Sequence, residues 1–183
     1  MTWTTKKTIM DAAEITRCLE RMVYEIREEH PDGKDLLIVG IRTRGVYLAE
    51  RLKSILDSVY SQPVPLGIVD ITLYRDDLTR LDYQPQVKDT QLPFDMDDRK
   101  ILLVDDVLYT GRTIRAAMDV LFDFGRPKSI QLAVLVDRGH RELPVQADYV
   151  GKKVPTSRTE QVQVSLKESE NTDEVLILEK ANV

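Results

Sequence analysis

Two adjacent carboxylates, Asp105 and Asp106, stand between an apolar run and a turn of small polar residues. The unbroken aliphatic run at 101–104 is typical of a strand that is buried on both faces. Ionised carboxylates only accept hydrogen bonds, so at the end of such a strand they suit sugar hydroxyls or a metal ion. This acid pair is therefore the first candidate for chemistry in the chain.

The turn after the acid pair has residue types that suit a phosphate group. Gly111 permits a positive φ and a close backbone approach, and Thr110 and Thr113 contribute hydroxyl groups. An apolar pattern at helical spacing follows, at Ile114, Ala117, Met118 and Leu121. The first N–H groups of that helix have no intrahelical partner, and with the positive end of the helix dipole they would form a phosphate cradle. The pattern predicts a sugar-phosphate site; the alternative is that the acids only cap the helix and the glycine only makes a turn.

A second strand-to-helix turn, called the arginine turn below, has the sequence Arg42-Thr43-Arg44-Gly45. It follows a buried strand predicted at residues 36–41. An arginine presents a fork of donors that matches phosphate oxygens, so this turn is a candidate for a second anion site. Basic helix starts are often only solvated. The interpretation gains weight if a parallel sheet brings this turn beside the first one.

The elements that must position these turns alternate between helical and strand periodicity. An amphipathic helix is predicted from Asp11 to about Glu29, with Asp11 and Glu14 as a capping box. Further strands are predicted at 66–74, 101–104 and 129–137, and short strands at 149–151, 162–164 and 175–178. Because helices separate the longer strands, we expect an α/β fold with a parallel sheet and right-handed crossovers. Residues 1–10 are expected to form a short arm or an edge strand.

Length and composition restrict the class of protein. The 183 residues favour a single domain, 1–183, and 42% hydrophobic with 31% charged residues is ordinary for a globular chain. The formal net charge of −5 argues against a generally basic nucleic-acid binder, so any RNA site must be a local basic patch. The one cysteine, Cys18, excludes an intramolecular disulfide and is expected to be an inert buried thiol. No apolar run approaches a membrane span and the first residues lack the apolar region of a signal peptide, so we expect a cytoplasmic protein without membrane contact.

The segment at about 75–98 has no clear period, is polar and contains Pro85 and Pro93. A loop of this length in a compact domain is usually functional or disordered. Two interpretations stay open: a loop that closes over a reaction, or a surface hairpin with no catalytic part.

The segment VDDVLYTGRT at 104–113 resembles the motif with which type I phosphoribosyltransferases bind phosphoribosyl pyrophosphate (PRPP). Together with LYRDD at 73–77 and VDRGHRELP at 136–144, it resembles the bacterial pyrimidine operon regulators that are also uracil phosphoribosyltransferases. The likeness runs from about the first helix to about Glu179. It implies a type I phosphoribosyltransferase fold: a parallel-sheet core with flanking helices at about 11–137, a flexible loop at about 75–98, and a small C-terminal hood at about 138–183 with the N-terminal arm.

The resemblance also implies which residues bind PRPP and the nucleotide. They are Thr43, Arg44 and Gly45 with the run Asp105, Asp106, Val107, Leu108, Tyr109, Thr110, Gly111, Arg112 and Thr113. It implies Mg²⁺ at the acid pair, since this ion prefers carboxylate and water ligands. In the implied reaction Asp105 and Asp106 stabilise positive charge on the ribose, and Arg44 and Arg75 with Mg²⁺ stabilise the leaving pyrophosphate. The arginine turn would correspond to the family's pyrophosphate loop, where we expect a non-proline cis peptide at or near Thr43-Arg44.

The base is expected to bind between the hood and the sheet. Related purine enzymes usually have an aspartate directly before the Thr-Gly of the cradle, whereas this chain has Tyr109 there. A phenol is a poor proton acceptor at neutral pH, so this departure favours a pyrimidine such as uracil over a purine. Backbone groups near Asp137 and at Gly151, Lys152 and Lys153 are the candidates for reading the uracil edge.

RNA binding is the second activity that the resemblance implies, through a basic face of the first helix and of the segment around 138–148. The candidates for that face are Arg17, Arg21, Arg138 and Arg141. Glu20, Tyr24 and Gln146 depart from the residues expected there, and an acid within an RNA footprint repels phosphate. A solvated or subunit-contact surface is therefore an equal alternative for these arginines.

Three functions stay open from the sequence alone. The first is a uracil phosphoribosyltransferase (uracil + PRPP to UMP + pyrophosphate) that senses UMP or UTP and regulates pyrimidine genes by binding leader mRNA. The second is the same enzyme or nucleotide sensor without RNA binding. The third, which Tyr109 disfavours, is a purine phosphoribosyltransferase. Such enzymes commonly pair, so we expect a homodimer or a higher homo-oligomer.

Overall fold

The computed structural model describes residues 2–76 and 89–181, which form two β-sheets flanked by helices. In chain order the elements are β1 (Trp3–Met10), α1 (Ala12–Glu29), β2 (Leu36–Ile41), α2 (Arg44–Val59), β3 (Leu66–Val69), a 3-10 turn (Thr72–Tyr74), β4 (Lys100–Leu108), α3 (Arg112–Phe124), β5 (Ser129–Asp137), β6 (Tyr149–Lys153), β7 (Gln161–Ser165), α4 (Lys167–Glu170) and β8 (Glu174–Lys180). The predicted α/β class with a parallel-sheet core is confirmed. None of the helices in these two ranges is long and apolar enough to cross a membrane.

The larger sheet has five parallel strands in the order β3-β2-β4-β5-β6. Its inner strands contain buried aliphatic runs, at 36–41 in β2 and at 101–104 in β4, as expected for a sheet that is covered on both faces. The order of strands reverses between β2 and β4, which makes a crevice at their carboxyl ends. Both turns that the sequence singles out leave the sheet at this crevice.

Helices cover the two faces of this sheet. Helices α1 and α2 pack with β2 and β4 in one apolar cluster, and α3 packs in a second cluster on the other face. Helix α1 begins with the predicted capping box: the Asp11 carboxylate accepts the Glu14 N–H at 2.8 Å, and the Glu14 carboxylate accepts the Asp11 N–H at 3.0 Å. The apolar face of α1 is buried as the periodicity predicts, through Ile15, Leu19, Met22, Val23 and Ile26.

The smaller sheet is antiparallel, with β8 between β1 and β7. It joins the N-terminal arm to the C-terminal segment, so residues 3–10 form an edge strand, one of the two expected forms. Val162 and Val175 of this sheet belong to the same apolar cluster as α1 and α2. We use "hood" below for β1, β7, α4 and β8.

The predicted position of one short strand is wrong. Residues 149–151 were assigned to the hood at 138–183, whereas β6 pairs with β5 as the outer strand of the large sheet, from Ala133↔Tyr149 to Asp137↔Lys153. Gly151 permits this pairing, because a Cβ at that position would lie 2.5 Å from the Leu135 carbonyl oxygen. A five-residue strand with two lysines carries no periodic signal for a buried sheet.

The third and fourth strands also differ in length from the prediction. The strand predicted at 66–74 ends at Val69, because the Asp70 carboxylate accepts the Thr72 N–H at 2.8 Å and closes a turn. The strand predicted at 101–104 continues to Leu108, since its pairing with β5 runs on to Leu108↔Asp137. Half of the expected loop at 75–98, residues 77–88, lies outside the described residues, so the role of the loop stays a prediction.

Candidate active site

Two glycines bring the two turns together at the crevice. A Cβ on Gly45, in the first turn of α2, would lie 2.5 Å from the carbonyl oxygen of Val104. A Cβ on Gly40, near the end of β2, would lie 2.6 Å from the Cα of Val46. The start of α2 therefore rests directly on β4, one residue before the acid pair. This contact places the arginine turn beside the acids.

The acid pair occupies the part of β4 that extends beyond its pairing with β2, which ends at Gly40↔Val104. Asp105 is buried, with 6% of its surface exposed, and Asp106 is half-buried. Asp105 Oδ1 accepts the Asp106 N–H and Asp106 Oδ1 accepts the Val107 N–H, both at 2.9 Å. The two carboxyl groups also contact each other.

Burial dominates the electrostatics of the acids. Loss of solvent raises the pKa of the Asp105 carboxyl well above its usual value, and the charge of Asp106 raises it further. Burial also raises the pKa of Asp106, while the positive charge of Arg44 opposes this shift. A cation or the polarised hydroxyls of a sugar would compensate the cost of two neighbouring buried charges.

The turn before α3 has the geometry of a phosphate cradle. Gly111 adopts a φ of +94° and is the N-cap residue, and it has no side chain that could cap the helix start. The Arg112 N–H donates to the Thr110 hydroxyl at 3.4 Å. The Thr110 carbonyl oxygen accepts hydrogen bonds from the N–H groups of Glu142 at 2.9 Å and Leu143 at 3.1 Å. The segment after β5 therefore holds the turn in place. A cavity of about 190 Å³ adjoins the helix start; it is lined by Arg75, Asp76, Thr110, Arg112 and Thr113. The N–H groups of a helix start and two hydroxyls beside a cavity suit a phosphate.

The side chain of Arg112 contributes less to the cradle than its position in the motif suggests. Its guanidinium forms ion pairs with Glu142 at 2.9 Å and with Asp76, and half of the side chain is exposed. These two carboxylates raise the pKa of Arg112, with Glu142 as the larger cause. The group at the cradle is thus the backbone N–H of Arg112, which also lies 3.4 Å from the Thr110 hydroxyl.

The arginine turn contains the expected cis peptide, one bond earlier than the named position, at Arg42-Thr43. Thr43 is the exposed N-cap residue of α2 and makes no side-chain capping bond. Arg44 donates to the carboxylate of Glu170 at 2.7 Å. Its positive charge also reaches Asp106, as the opposing effect on that pKa indicates. Arg44 therefore stands between the acid pair and the hood.

Tyr109, directly after β4, is in contact with a cationic and an aromatic side chain. The Arg138 guanidinium stacks on the Tyr109 ring at 4.0 Å from its centroid, and the His140 ring meets the same ring edge-on at 6.3 Å. His140 Nε2 donates to the Thr156 carbonyl oxygen at 2.6 Å, so this nitrogen is used structurally. A cavity of about 310 Å³ adjoins these side chains and is lined by Asp137, Arg138, Gly139, Lys153, Val154 and Pro155.

The predicted base-binding residues separate into two places. Asp137 and Lys153 line the cavity near Tyr109. In contrast, the Gly151 carbonyl oxygen accepts a hydrogen bond from Arg21 at 2.7 Å, and the Lys152 ammonium donates to the Ile9 carbonyl oxygen at 2.8 Å. Alternate residues of β6 point to opposite faces, so Lys153 faces the cavity while Lys152 faces α1.

The predicted RNA-binding arginines also separate. Arg138 is buried and donates to the carbonyl oxygens of Ser157 and Glu160, and Arg141 donates to that of Tyr109 at 2.8 Å and pairs with Asp137 at 2.6 Å. Both fix the segment that follows β5. Arg17 and Arg21 instead line a groove of about 320 Å³ along α1, together with Met10, Glu14, Cys18, Gly151 and Lys152. Cys18 is half-buried there, with its thiol 3.5 Å from the Gly151 carbonyl oxygen.

Three neighbours of the site were not predicted from the sequence: Glu170, Val154 and Pro155. Glu170 reaches Arg44 across 126 positions of the chain, and no local pattern marks such a partner. Val154 and Pro155 follow the strand that was assigned to the hood, so their place beside the cavity depends on the pairing of β6 with β5.

The described residues contain no group of three or more histidine, cysteine, aspartate or glutamate side chains arranged to hold a metal ion. The acid pair offers two carboxylates, which is what Mg²⁺ uses when water and substrate phosphates complete its six ligands. The donor set therefore fits an ion that arrives with a phosphorylated substrate. It does not fit a permanent all-protein metal cage.

Comparisons with known proteins agree with this geometry. A family model described as "Phosphoribosyl transferase domain" matches residues 6–169. A relative from Deinococcus radiodurans named "Bifunctional protein PyrR" is 56% identical over 168 residues, which cover 92% of this chain and 92% of the relative. A Bacillus velezensis protein of the same name is 54% identical and covers 95% of this chain and 97% of its own.

Solved structures with similar folds are phosphoribosyltransferases. A hypoxanthine phosphoribosyltransferase from Staphylococcus aureus superposes with a TM-score of 0.71 at 19% identity, over 94% of this chain and 92% of that one. The Trypanosoma cruzi hypoxanthine phosphoribosyltransferase in complex with its product IMP also gives 0.71 at 19% identity, over 96% and 91%. At 19% sequence identity, these superpositions show that this chain shares their fold.

Proposed function

The chain belongs to the phosphoribosyltransferase family, within the group of proteins named bifunctional protein PyrR, and from that membership we propose that it transfers phosphoribose from PRPP to uracil. The same protein regulates pyrimidine genes by binding mRNA in response to uridine nucleotides. The observation that carries the enzymatic part is the acid pair, with Asp105 buried and Asp106 half-buried, shortly before the start of α3 and beside the arginine turn.

These groups match the two phosphate parts of PRPP and its ribose hydroxyls. The 5′-phosphate fits the cradle formed by Thr110, Gly111 and the first N–H groups of α3. The ribose hydroxyls donate to the carboxylates of Asp105 and Asp106. The pyrophosphate lies toward Arg44, with Arg75 at the edge of the cradle cavity. Mg²⁺, bound through the acids and the diphosphate, would neutralise the leaving group.

The reaction moves charge in the direction that these residues favour. When the bond between ribose C1 and pyrophosphate breaks, the ribose becomes positive and the leaving group more negative. The negative charges of the acids stabilise the ribose, and the guanidinium of Arg44 stabilises the pyrophosphate. A ring nitrogen of uracil forms the new bond at C1 and loses its proton to the pyrophosphate or to solvent, so this scheme requires no covalent nucleophile from the protein.

The cavity beside Tyr109 is the proposed base pocket. Asp137, Lys153 and Val154 line it, and the stacked Arg138 holds the Tyr109 ring at its border. The phenol stands where related purine enzymes usually have an acid, which favours uracil. Lys152 and Gly151 are left out of this pocket, because their polar groups bind Ile9 and Arg21.

The test is a pyrophosphate-release assay with PRPP, Mg²⁺ and one of three bases: uracil, hypoxanthine or guanine. Uracil is expected to support turnover, and the two purines are expected to give less than about a tenth of its kcat/KM. Turnover with hypoxanthine or guanine in preference to uracil would replace this function with purine salvage. No turnover with any base would remove the enzymatic part of the proposal.

The groove along α1 supports the regulatory part. Arg17 and Arg21 line it and are exposed, although Arg21 also pairs with Glu25 and donates to the carbonyl oxygens of Val150 and Gly151. Arg138 is buried, and Arg141 donates to the Tyr109 carbonyl oxygen and pairs with Asp137. Lys152 adds a third positive charge at the groove. We place the RNA phosphates there, next to the exposed Tyr24 of α1.

A gel-shift experiment with leader RNA, with and without UMP, tests this part. Arg17→Ala is expected to weaken binding and to reduce the salt dependence by about one phosphate contact, while the matched control Arg115→Ala on the exposed face of α3 is expected to have no effect. If low salt gives no UMP-dependent shift of the unmodified protein, the chain is an enzyme or nucleotide sensor without RNA binding.

Both proposed partners, PRPP and mRNA, place the protein in the cytoplasm. We also propose a homo-oligomer. Sedimentation of the protein at several concentrations tests this, and a concentration-independent monomer would contradict it.

A further inference from the structure

We propose that Glu170, in the hood, is a positioning residue that holds Arg44 for the pyrophosphate of PRPP. This inference rests on the function proposed above and adds a residue from outside the strand-to-helix turns. It also gives the hood a role in the charged half of the site, separate from its place beside the base.

The carboxylate of Glu170 is itself held in place. Its Oε2 accepts the Leu166 N–H at 3.0 Å and is also in contact with the Ser169 hydroxyl. Its Oε1 accepts a hydrogen bond from Arg44 at 2.7 Å. Leu166, at the start of α4, is fully buried in the apolar cluster that includes β2 and α2. A carboxylate fixed by its own turn can fix the guanidinium that it binds.

Arg44 has a charge partner on each side. One guanidinium nitrogen donates to Glu170, and its positive charge reaches the buried Asp106. Its Nε is buried and has no hydrogen-bond partner in the described part of the protein. Glu170 uses only one of the two terminal nitrogens, so the guanidinium keeps donors for phosphate oxygens while its direction is set.

A neighbouring ion pair provides the contrast. Arg51 of α2 binds Glu168 of α4 at 2.6 Å and Asp173 at 2.7 Å. The contact between Arg51 and Glu168 joins α2 to α4, as the contact between Arg44 and Glu170 does. The two carboxylates raise the pKa of Arg51, with Glu168 as the larger cause, but they contact neither the acid pair nor the arginine turn. Glu168→Gln removes one charge partner of Arg51 and leaves Asp173 and the contact between Arg44 and Glu170 in place, so it is the matched control for Glu170→Gln.

The experiment measures UMP formation and PRPP binding for the unmodified protein, Glu170→Gln, Glu168→Gln, Arg44→Ala and Arg44→Ala/Glu170→Gln. Glu170→Gln is expected to raise the KM for PRPP by about five- to tenfold with the KM for uracil unchanged, whereas Glu168→Gln changes neither KM by more than about twofold. In the Arg44→Ala background Glu170→Gln is expected to have no further effect, because its action passes through that arginine.

Several outcomes would overturn the proposal. Equal effects of Glu170→Gln and Glu168→Gln, or an effect that persists without Arg44, would make Glu170 a structural residue. A lower KM for PRPP in Glu170→Gln would show that the carboxylate competes with pyrophosphate. Calorimetric titration of PRPP in the absence of uracil separates this test from the proposed reaction: without turnover, weaker PRPP binding by Glu170→Gln alone still supports the proposal, and no PRPP binding by the unmodified protein overturns it.

Discussion

The β2–α2 turn and the β4–α3 turn have the same strand-turn-helix form and lie side by side, but they offer an anion different groups. The first presents the guanidinium of Arg44, held by Glu170. The second presents the first N–H groups of α3 around Gly111, with the hydroxyls of Thr110 and Thr113. Rigid backbone donors suit a phosphate whose charge stays constant, whereas a held arginine suits a leaving group whose charge grows during the reaction.

The largest expected effect concerns the acids between the two turns. Asp105→Asn is expected to lower kcat/KM for UMP formation by about 10²–10³-fold, because it removes a charge that faces the ribose in the transition state. The same change is expected to raise Tm at pH 7 by about 2–4 °C, since it removes a buried charge that costs about 1 kcal/mol. Steady-state kinetics and calorimetry measure the two effects.

The pH dependence of this stabilisation has a definite sign. Because the pKa of Asp105 is raised in the folded protein, the folded state binds more protons and its stability falls as pH rises from the unfolded value of about 3.8 towards the folded value. The Tm advantage of Asp105→Asn should therefore grow with pH over that range. Asp119→Asn, an exposed acid of α3, is the control, and an Asp105→Asn variant with a lower Tm at pH 7 would contradict this account.

The next effect tests the backbone cradle. Gly111→Ala is expected to weaken binding of UMP by about tenfold or more, and to lower the free energy of unfolding by about 1–3 kcal/mol. Gly111 has a φ of +94°, and a Cβ there would lie 3.2 Å from the Val145 Cβ. Gly139→Ala provides a stability control with the same kind of strain, since it has a φ of +76° and no heavy atom within 4 Å of the added Cβ. UMP binding by Gly111→Ala equal to that of the unmodified protein would place the phosphate elsewhere.

A smaller effect separates the base pocket from both turns. Tyr109→Ala is expected to raise the KM for uracil by about five- to tenfold with little change for PRPP, because the ring that Arg138 covers is lost. Tyr109→Phe keeps the ring and is expected to stay within about twofold of the unmodified protein. A loss in Tyr109→Phe as large as in Tyr109→Ala would assign the role to the hydroxyl.

The smallest effect concerns the arginine of the motif. Arg112→Ala is expected to change the KM for PRPP by less than about threefold, because its side chain binds Asp76 and Glu142 and is half-exposed. Arg44→Ala is the comparison and is expected to raise that KM by about tenfold or more. Equal effects of the two changes would place both guanidinium groups on PRPP.

The same two turns show what the sequence could predict. The acid pair, Gly111 and the start of α3 lie within nine positions, so local spacing was enough to predict a phosphate cradle at the end of a strand. The anion turn at Arg44 was predicted from its residue types, but Glu170 was not, because this contact joins positions 126 apart.

Long-range pairing also determines placements that local sequence patterns do not predict. The place of Lys152 and Lys153 depends on the pairing of β6 with β5, which only the fold determines. The loop positions of Arg138 and Arg141 indicate surface cations. In the structure, Arg138 donates to the carbonyl oxygens of Ser157 and Glu160. Arg141 donates to those of Val145, Leu108 and Tyr109. Charge alone does not distinguish an arginine that organises a loop from one that binds phosphate.

A crystal structure with UMP is the most direct test of the central claim. We predict that its 5′-phosphate accepts hydrogen bonds from the backbone N–H groups around Gly111, Arg112 and Thr113, and that its ribose hydroxyls donate to Asp105 and Asp106. A nucleotide whose phosphate binds at Arg44 instead, or whose ribose makes no contact with the acid pair, would contradict the account.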